Sequence, residues 1–109
     1  MATPEPGLDR HEWESELASI EDDLHDSPTE TLPELTRLVE RMLEERGYDL
    51  DDPVAREGEE REIVAEYLAA REVADRVDRG EDVDPGDVAS AIEGLVSLFQ
   101  FVLVELESP

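Results

Sequence analysis

The chain has 109 residues, of which 32 are acidic and 9 are basic, so its formal net charge is −23, and it contains no cysteine. This length predicts one domain with one hydrophobic core. The absence of cysteine excludes disulfides, thiolate metal sites and cysteine nucleophiles. No basic stripe suits DNA or RNA, and no basic segment precedes an apolar core at the N-terminus, so we expect a cytoplasmic protein without a secretory signal.

The acidic surplus conflicts with folding at low salt. High net charge opposes compaction and is typical of disordered chains, yet the apolar residues recur at helical spacing. In about 1 M salt the Debye length falls to about 3 Å, so surface carboxylates hardly repel one another. All basic residues are arginine, and a composition without lysine resembles that of proteins from extreme halophiles. We therefore expect a halophilic protein, with acidic mimicry of a nucleic acid as the alternative.

The N-terminal part is predicted to form a tail and a helix. Residues 1–7 contain two prolines and a glycine, which predicts a mobile tail before a single helical domain over residues 8–109. A first helix is predicted from about residue 8 or 9 to His25, ending before Pro28, because proline disfavours a helical residue before it. Its apolar residues have helical spacing: Trp13, Leu17, Ile20 and Leu24.

The second helix has two competing start signals. Ser27 and Thr31 each begin a capping box, in which a hydroxyl residue is followed three positions later by glutamate. We expect a short turn at Ser27 and the main helix from Thr31, because that start leaves Pro33 in the first turn, where proline is tolerated. Gly47 is expected to cap the end of this helix.

The third helix is predicted to begin at Asp52 and Pro53, an N-cap and first-turn pair, and to end at Gly80. A break near Gly58 is possible, since glycine weakens a helix. Small residues on this helix would admit a bulky neighbour, for which Phe99 and Phe101 are the candidates. These small residues are Ala69, Ala70 and Ala74.

The fourth helix, predicted from Asp84 to Glu107, is the most apolar. Its main apolar face is Val88, Ile92, Leu95, Phe99, Val102 and Leu106. Its C-terminal half is apolar nearly all the way round, which predicts burial on more than one side. The apolar run Leu95 to Val104 is too short to cross a bilayer, so we expect no membrane span. Residues 99–104 could alternatively form a strand, from their β-branched and aromatic content.

These helices predict an all-α fold, an up-and-down, mostly antiparallel four-helix bundle with a highly apolar C-terminal helix. Leu98, Phe101 and Val104 lie off the main apolar face of the last helix and would face water in a simple bundle. We therefore predict a homodimer that packs these residues across a two-fold axis. The alternative is an irregular bundle that wraps the last helix on three sides.

The sequence contains two histidines, which are candidate metal ligands. His11 and His25 are fourteen residues apart, about 21 Å along a helix, so they cannot share one metal. His25 with Glu21 or Asp22 has the spacing of a weak metal site, but we expect no metal or cofactor.

Two acid pairs on the third helix have the spacing of magnesium ligands in helical enzymes: Glu59 with Glu62, and Glu72 with Asp75. They resemble the acidic signature of the MazG-type nucleotide pyrophosphatases, which are all-helical enzymes. That resemblance would imply magnesium and triphosphate binding by these residues, although here the pairs lie closer together, on one helix. Whether the pairs converge on one site decides between this enzyme alternative and the favoured prediction.

The favoured prediction is a small non-enzymatic interaction or regulatory module, which self-associates through its C-terminal helix or binds a partner helix.

Overall fold

The computed structural model describes residues 10–48, 50 and 58–107 of the chain. The tail predicted over residues 1–7 and the helix start predicted at Asp52 and Pro53 lie outside these ranges. Within them, four helices pack against one another as an all-α bundle, as predicted: α1 (Arg10–Asp26), α2 (Pro28–Glu45), α3 (Gly58–Asp78) and α4 (Pro85–Glu107). The described residues contain no strand, and the strand alternative for residues 99–104 is wrong because they lie inside α4.

α1 runs antiparallel to α2, and α3 runs antiparallel to α4. Between α1 and α2, the Thr31 hydroxyl reaches the Asp23 carbonyl near the connection, and Arg41 pairs with Glu16 farther from it, at 3.0 Å. Between α3 and α4, Glu66 lies against Gly94, again at matching distances from the connection. The chain therefore follows the up-and-down path that its short connections predict.

The bundle is not square in cross-section. α2 and α4 pack against each other at its centre, and α3 packs on both of them. α1 packs mainly on α2, touches α4 along a short stretch, and makes no contact with α3 among the described residues. α4 therefore has three helical neighbours, as the irregular-bundle alternative expected.

The predicted start of α2 is wrong. The helix begins at Pro28, not Thr31, and Pro33 lies inside it. Ser27 occupies the N-cap position, but its side chain makes no capping hydrogen bond. The buried Thr31 hydroxyl instead donates to the Asp23 carbonyl of α1 at 3.1 Å, and the Ser27 N–H donates to the same carbonyl at 2.7 Å. The Thr31 hydroxyl thus supplies a hydrogen-bond donor to a carbonyl in the last turn of α1, because the single-residue connection brings that turn within reach.

The ends of α2 and α3 and the start of α4 are capped by residues next to them in the sequence. Gly47 and Gly80 have positive φ values of 91° and 78°, and the residue after each donates to a carbonyl five positions earlier, which is the Schellman arrangement. The Asp84 carboxylate accepts the Gly86 N–H at 2.7 Å, so Asp84 caps α4 as predicted.

The aromatic residues join α1 to the centre of the core. Trp13 and Phe99 meet edge to face, with ring centroids 6.4 Å apart and planes at 81°, a favoured aromatic geometry. The guanidinium of Arg41 lies over the Trp13 ring, 5.3 Å from its centroid. Because α1 touches α4 only briefly, this cluster is its main attachment to the central helix.

Replacing Thr31 with valine (T31V) keeps the side-chain shape and removes the hydroxyl that caps α1. We expect the free energy of unfolding to fall by about 0.5–1.5 kcal/mol, the usual net contribution of one hydrogen bond. Thr29 is exposed in the same turn, so the matched variant T29V should change stability by less than about 0.5 kcal/mol. Denaturant unfolding in molar potassium chloride, followed by circular dichroism, measures both. Equal losses would contradict the capping role of Thr31.

Candidate functional site

The solvent side of α4 differs from the rest of the surface in having almost no charge. Charged residues make up 38% of the chain, yet Glu93 is the only one between Val88 and Val104. Five residues at steps of four and three form what we call the outer face of α4: Ser90, Gly94, Ser97, Phe101 and Val104. Ser90 and Ser97 are exposed, and Gly94 is half-buried. Phe101 and Val104, at 36% and 63%, are the exposed large apolar residues among those that the structure describes.

The opposite side of α4 is deeply buried. Leu95, Phe99 and Val102 have no exposed surface, because α1, α2 and α3 surround that side. Leu98, predicted to face water with Phe101 and Val104, is only 6% exposed. That premise is wrong for Leu98, because α3 covers its side of α4. Of the three residues predicted for an interface, Phe101 and Val104 are those that a second protein could contact.

An open groove of about 330 Å³ runs beside the outer face of α4. We call it the α3–α4 groove, and its lining residues are Glu66, Ala69, Ala70, Val73, Asp87, Ser90, Ala91 and Gly94. Its walls are mainly small side chains, and its only charged lining residues are acids. The alanines that were expected to admit a phenylalanine, Ala69 and Ala70, line this open space.

The Glu66 side chain lies against α4 at Gly94. A Cβ atom built on Gly94 would be 3.4 Å from Glu66 Oε1, which is ordinary van der Waals contact. Glu66 also lines a second hollow, of about 210 Å³, with Glu62, Ile63, Leu98 and Phe101. The groove and the hollow therefore meet at Glu66, and Phe101 forms a wall of the hollow.

The acid pairs of α3 do not come together as a metal site among the residues that the structure describes. Glu62 lines the hollow, whereas Glu72 and Asp75 are exposed farther along the helix, ten or more residues away, or about 15 Å. Asp75 lies 4.0 Å from the Arg71 guanidinium. The side chain of Glu59 lies outside the described residues. Among those described, no group of three His, Asp or Glu side chains is placed to hold a metal ion.

The histidines are apart and exposed. His11 lies in the first turn of α1 and His25 in its last turn.

Tyr67 of α3 carries a polar group that is buried in the core. Its ring has no exposed surface, and its hydroxyl has no hydrogen-bond partner among the described residues. Burial and the nearby Glu40 carboxylate raise the pKa of Tyr67 from 10.0 to about 12, against a lowering effect of Arg71. The hydroxyl therefore stays neutral at ordinary pH.

α4 also has the length and composition of a membrane-spanning helix over Pro85–Glu105, and 39% of the apolar 18-residue stretch within it is buried. Core helices of soluble proteins meet the same criterion, so this observation does not decide between the two environments. The expectation that the chain lacks a membrane span stays a prediction.

Tyr67 should make stability fall at alkaline pH. Its raised pKa stabilises the folded state fully below pH 10, and that contribution is lost as pH rises towards the folded pKa of about 12, because the unfolded chain releases the proton first. The variant Y67F should lack this loss and should be no less stable at neutral pH, since it removes an unpartnered hydroxyl. Tyrosinate absorbance, measured in a Y48F background with Tyr67 as the single tyrosine, reports the pKa. Titration near pH 10 while the helices persist would contradict this prediction.

The sequence analysis pointed to Phe101 and Val104 but missed the α3–α4 groove. The signal for the groove was present, since Ser90 and Gly94 are one helical turn apart on α4 and the alanines of α3 are similarly small. Pairing these two sets required the positions of α3 and α4 relative to each other. No protein-family model, curated protein or solved structure matches this chain, so its surface chemistry is the basis for proposing a function.

Proposed function

We propose that the protein is a non-enzymatic helical interaction module that self-associates through the outer face of α4. The observation that carries this proposal is the nearly uncharged solvent side of α4, where Glu93 is the single charged residue between Val88 and Val104, in a chain with a net charge of −23. Acidic side chains keep the remaining surface hydrated. A face that lacks them while exposing Phe101 and Val104 is better suited to contact with protein than to contact with water.

Self-association suits this face because its five residues carry no charge, so the outer faces of two copies do not repel each other. Ser90 and Gly94 are small enough to allow close approach of another helix, and Phe101 and Val104 supply apolar area. A stable interface buries about 800 Å² on each partner. The outer face extends only about 21 Å along α4, so the interface has to include neighbouring α3 residues such as Ala69, which is also exposed.

Concentrated salt is part of this proposal. Two copies with a charge of −23 each repel strongly in dilute solution. At about 1 M salt this repulsion is screened within about 3 Å, and salts that strengthen the burial of apolar groups act in the same direction. We accordingly propose a halophilic, cytoplasmic protein whose association and folding both depend on salt.

The self-association predicts a dimer in multimolar potassium chloride, with a molar mass near twice 12.2 kDa by light scattering. The variant V104E should be largely monomeric, because it places a carboxylate in the apolar part of the contact. Ala18 is exposed on α1, so the matched variant A18E should remain dimeric. On dilution into low salt, the wild-type dimer should dissociate and lose helicity in circular dichroism. A folded wild-type monomer at high salt and high protein concentration would contradict the proposal.

A further inference from the structure

We infer that two copies pack their α4 helices antiparallel about a two-fold axis at Ser97, so that Phe101 of each copy fills the α3–α4 groove of the other. This inference rests on the proposed self-association and specifies its geometry. It assigns the groove an occupant, which is an aromatic side chain of a second copy of the chain.

The order of residues on the outer face of α4 carries the first step. Small residues, Ser90 and Gly94, precede Ser97, and large residues, Phe101 and Val104, follow it. About a two-fold axis at Ser97, positions equally distant on opposite sides meet across the interface. Ser90 and Val104 are each seven residues from Ser97, whereas Gly94 and Phe101 are three and four residues from it. Val104 thus meets Ser90 of the other copy, and Phe101 meets the other α4 between Gly94 and Glu93, which are three and four residues before Ser97.

Parallel packing of the same helices would be a poor fit. Phe101 would face the partner's Phe101, and Gly94 would face the partner's Gly94, leaving bulk against bulk beside an unfilled space. Close-packed interfaces disfavour both, because overpacking strains side chains and voids forfeit contacts. The sequence order along α4 therefore selects the antiparallel arrangement.

The α3–α4 groove has the size and lining for a phenyl ring. A cavity of about 150 Å³ already accommodates benzene in a protein, and the groove has about 330 Å³. Ala69, Ala70 and Val73 form an apolar wall on its α3 side. Glu66 lies beside Gly94 at the position where the ring would enter, and the positive edge of an aromatic ring is a favourable neighbour for a carboxylate.

Charge favours this occupant over an acidic segment from elsewhere on the surface. The charged residues that line the groove are Glu66 and Asp87, and the second hollow adds Glu62. Between Val88 and Val104, α4 brings a single carboxylate to them, that of Glu93. A basic helix from a different protein would also suit these acids, so the experiment has to separate the two occupants.

Cysteine pairs can report the register, because the natural chain has no cysteine. In multimolar potassium chloride under mild oxidation, the variant S97C should form a disulfide dimer across the axis. S90C alone and V104C alone should not, because each residue lies about 21 Å from its copy, and a disulfide requires Cα atoms within about 7 Å. The double variant S90C/V104C should crosslink. Ser19 is exposed on α1, so S19C is the control that should stay uncrosslinked.

Exchanging the large and small residues tests the groove itself. F101A should weaken the dimer at least about tenfold, a loss of about 1.4 kcal/mol, because the groove is left empty. G94F should weaken it similarly, because the groove is already filled when Phe101 of the second copy arrives. The double variant G94F/F101A keeps the total volume and should regain most of the affinity. Circular dichroism establishes that each variant is folded.

The outcomes separate this inference from the proposal on which it rests. A wild-type dimer in which S90C alone and V104C alone crosslink would overturn the antiparallel arrangement and leave self-association intact. A wild-type monomer would overturn both. If G94F leaves the dimer intact but abolishes binding of an arginine-rich amphipathic helical peptide, the groove belongs to a different partner and the inference is overturned.

Discussion

The burial of α4 is the constraint on which the rest of the structure depends. Its apolar residues cover more than a single face, and a helix of that kind needs neighbours on several sides. α2 and α3 supply most of the contact, and α1 covers the remaining strip through Trp13, which meets Phe99 edge to face. The departure from a square bundle follows from this requirement, since α2 and α4 pack together at the centre and α1 is displaced onto α2.

The electrostatic character of the surface follows from the same arrangement. Because the apolar residues are concentrated on inward faces, acids occupy most outward positions on α1, α2 and α3. Exposed pairs such as Arg41 with Glu16 contribute little in concentrated salt, where screening removes most of their attraction. Stability therefore rests on burial and packing, and charge determines solubility. In that context the uncharged outer face of α4 is the exception, which makes it the strongest feature for proposing an interaction.

The α3–α4 groove shows how small residues can serve two purposes. Ala70 is buried and Ala69 is exposed, so one side of α3 contributes to the core while the adjacent residue opens towards solvent. Gly94 adds to this by leaving the space beside Glu66 without a side chain of its own. An ordinary large side chain at any of these positions would narrow the groove, so its existence depends on residues from two different helices.

The sequence by itself determined the helical class, the four segments and the chemistry of most helix ends. Spacing of apolar residues, the Asp84 cap and the glycines at positions 47 and 80 act locally, so they can be read without knowing the fold. Tertiary structure decided the start of α2, because the Thr31 hydroxyl bonds to a carbonyl of α1. It also decided that Leu98 is covered while Phe101 and Val104 remain exposed. These outcomes depend on how neighbouring helices are placed against α4, and helical periodicity specifies only which residues share a face.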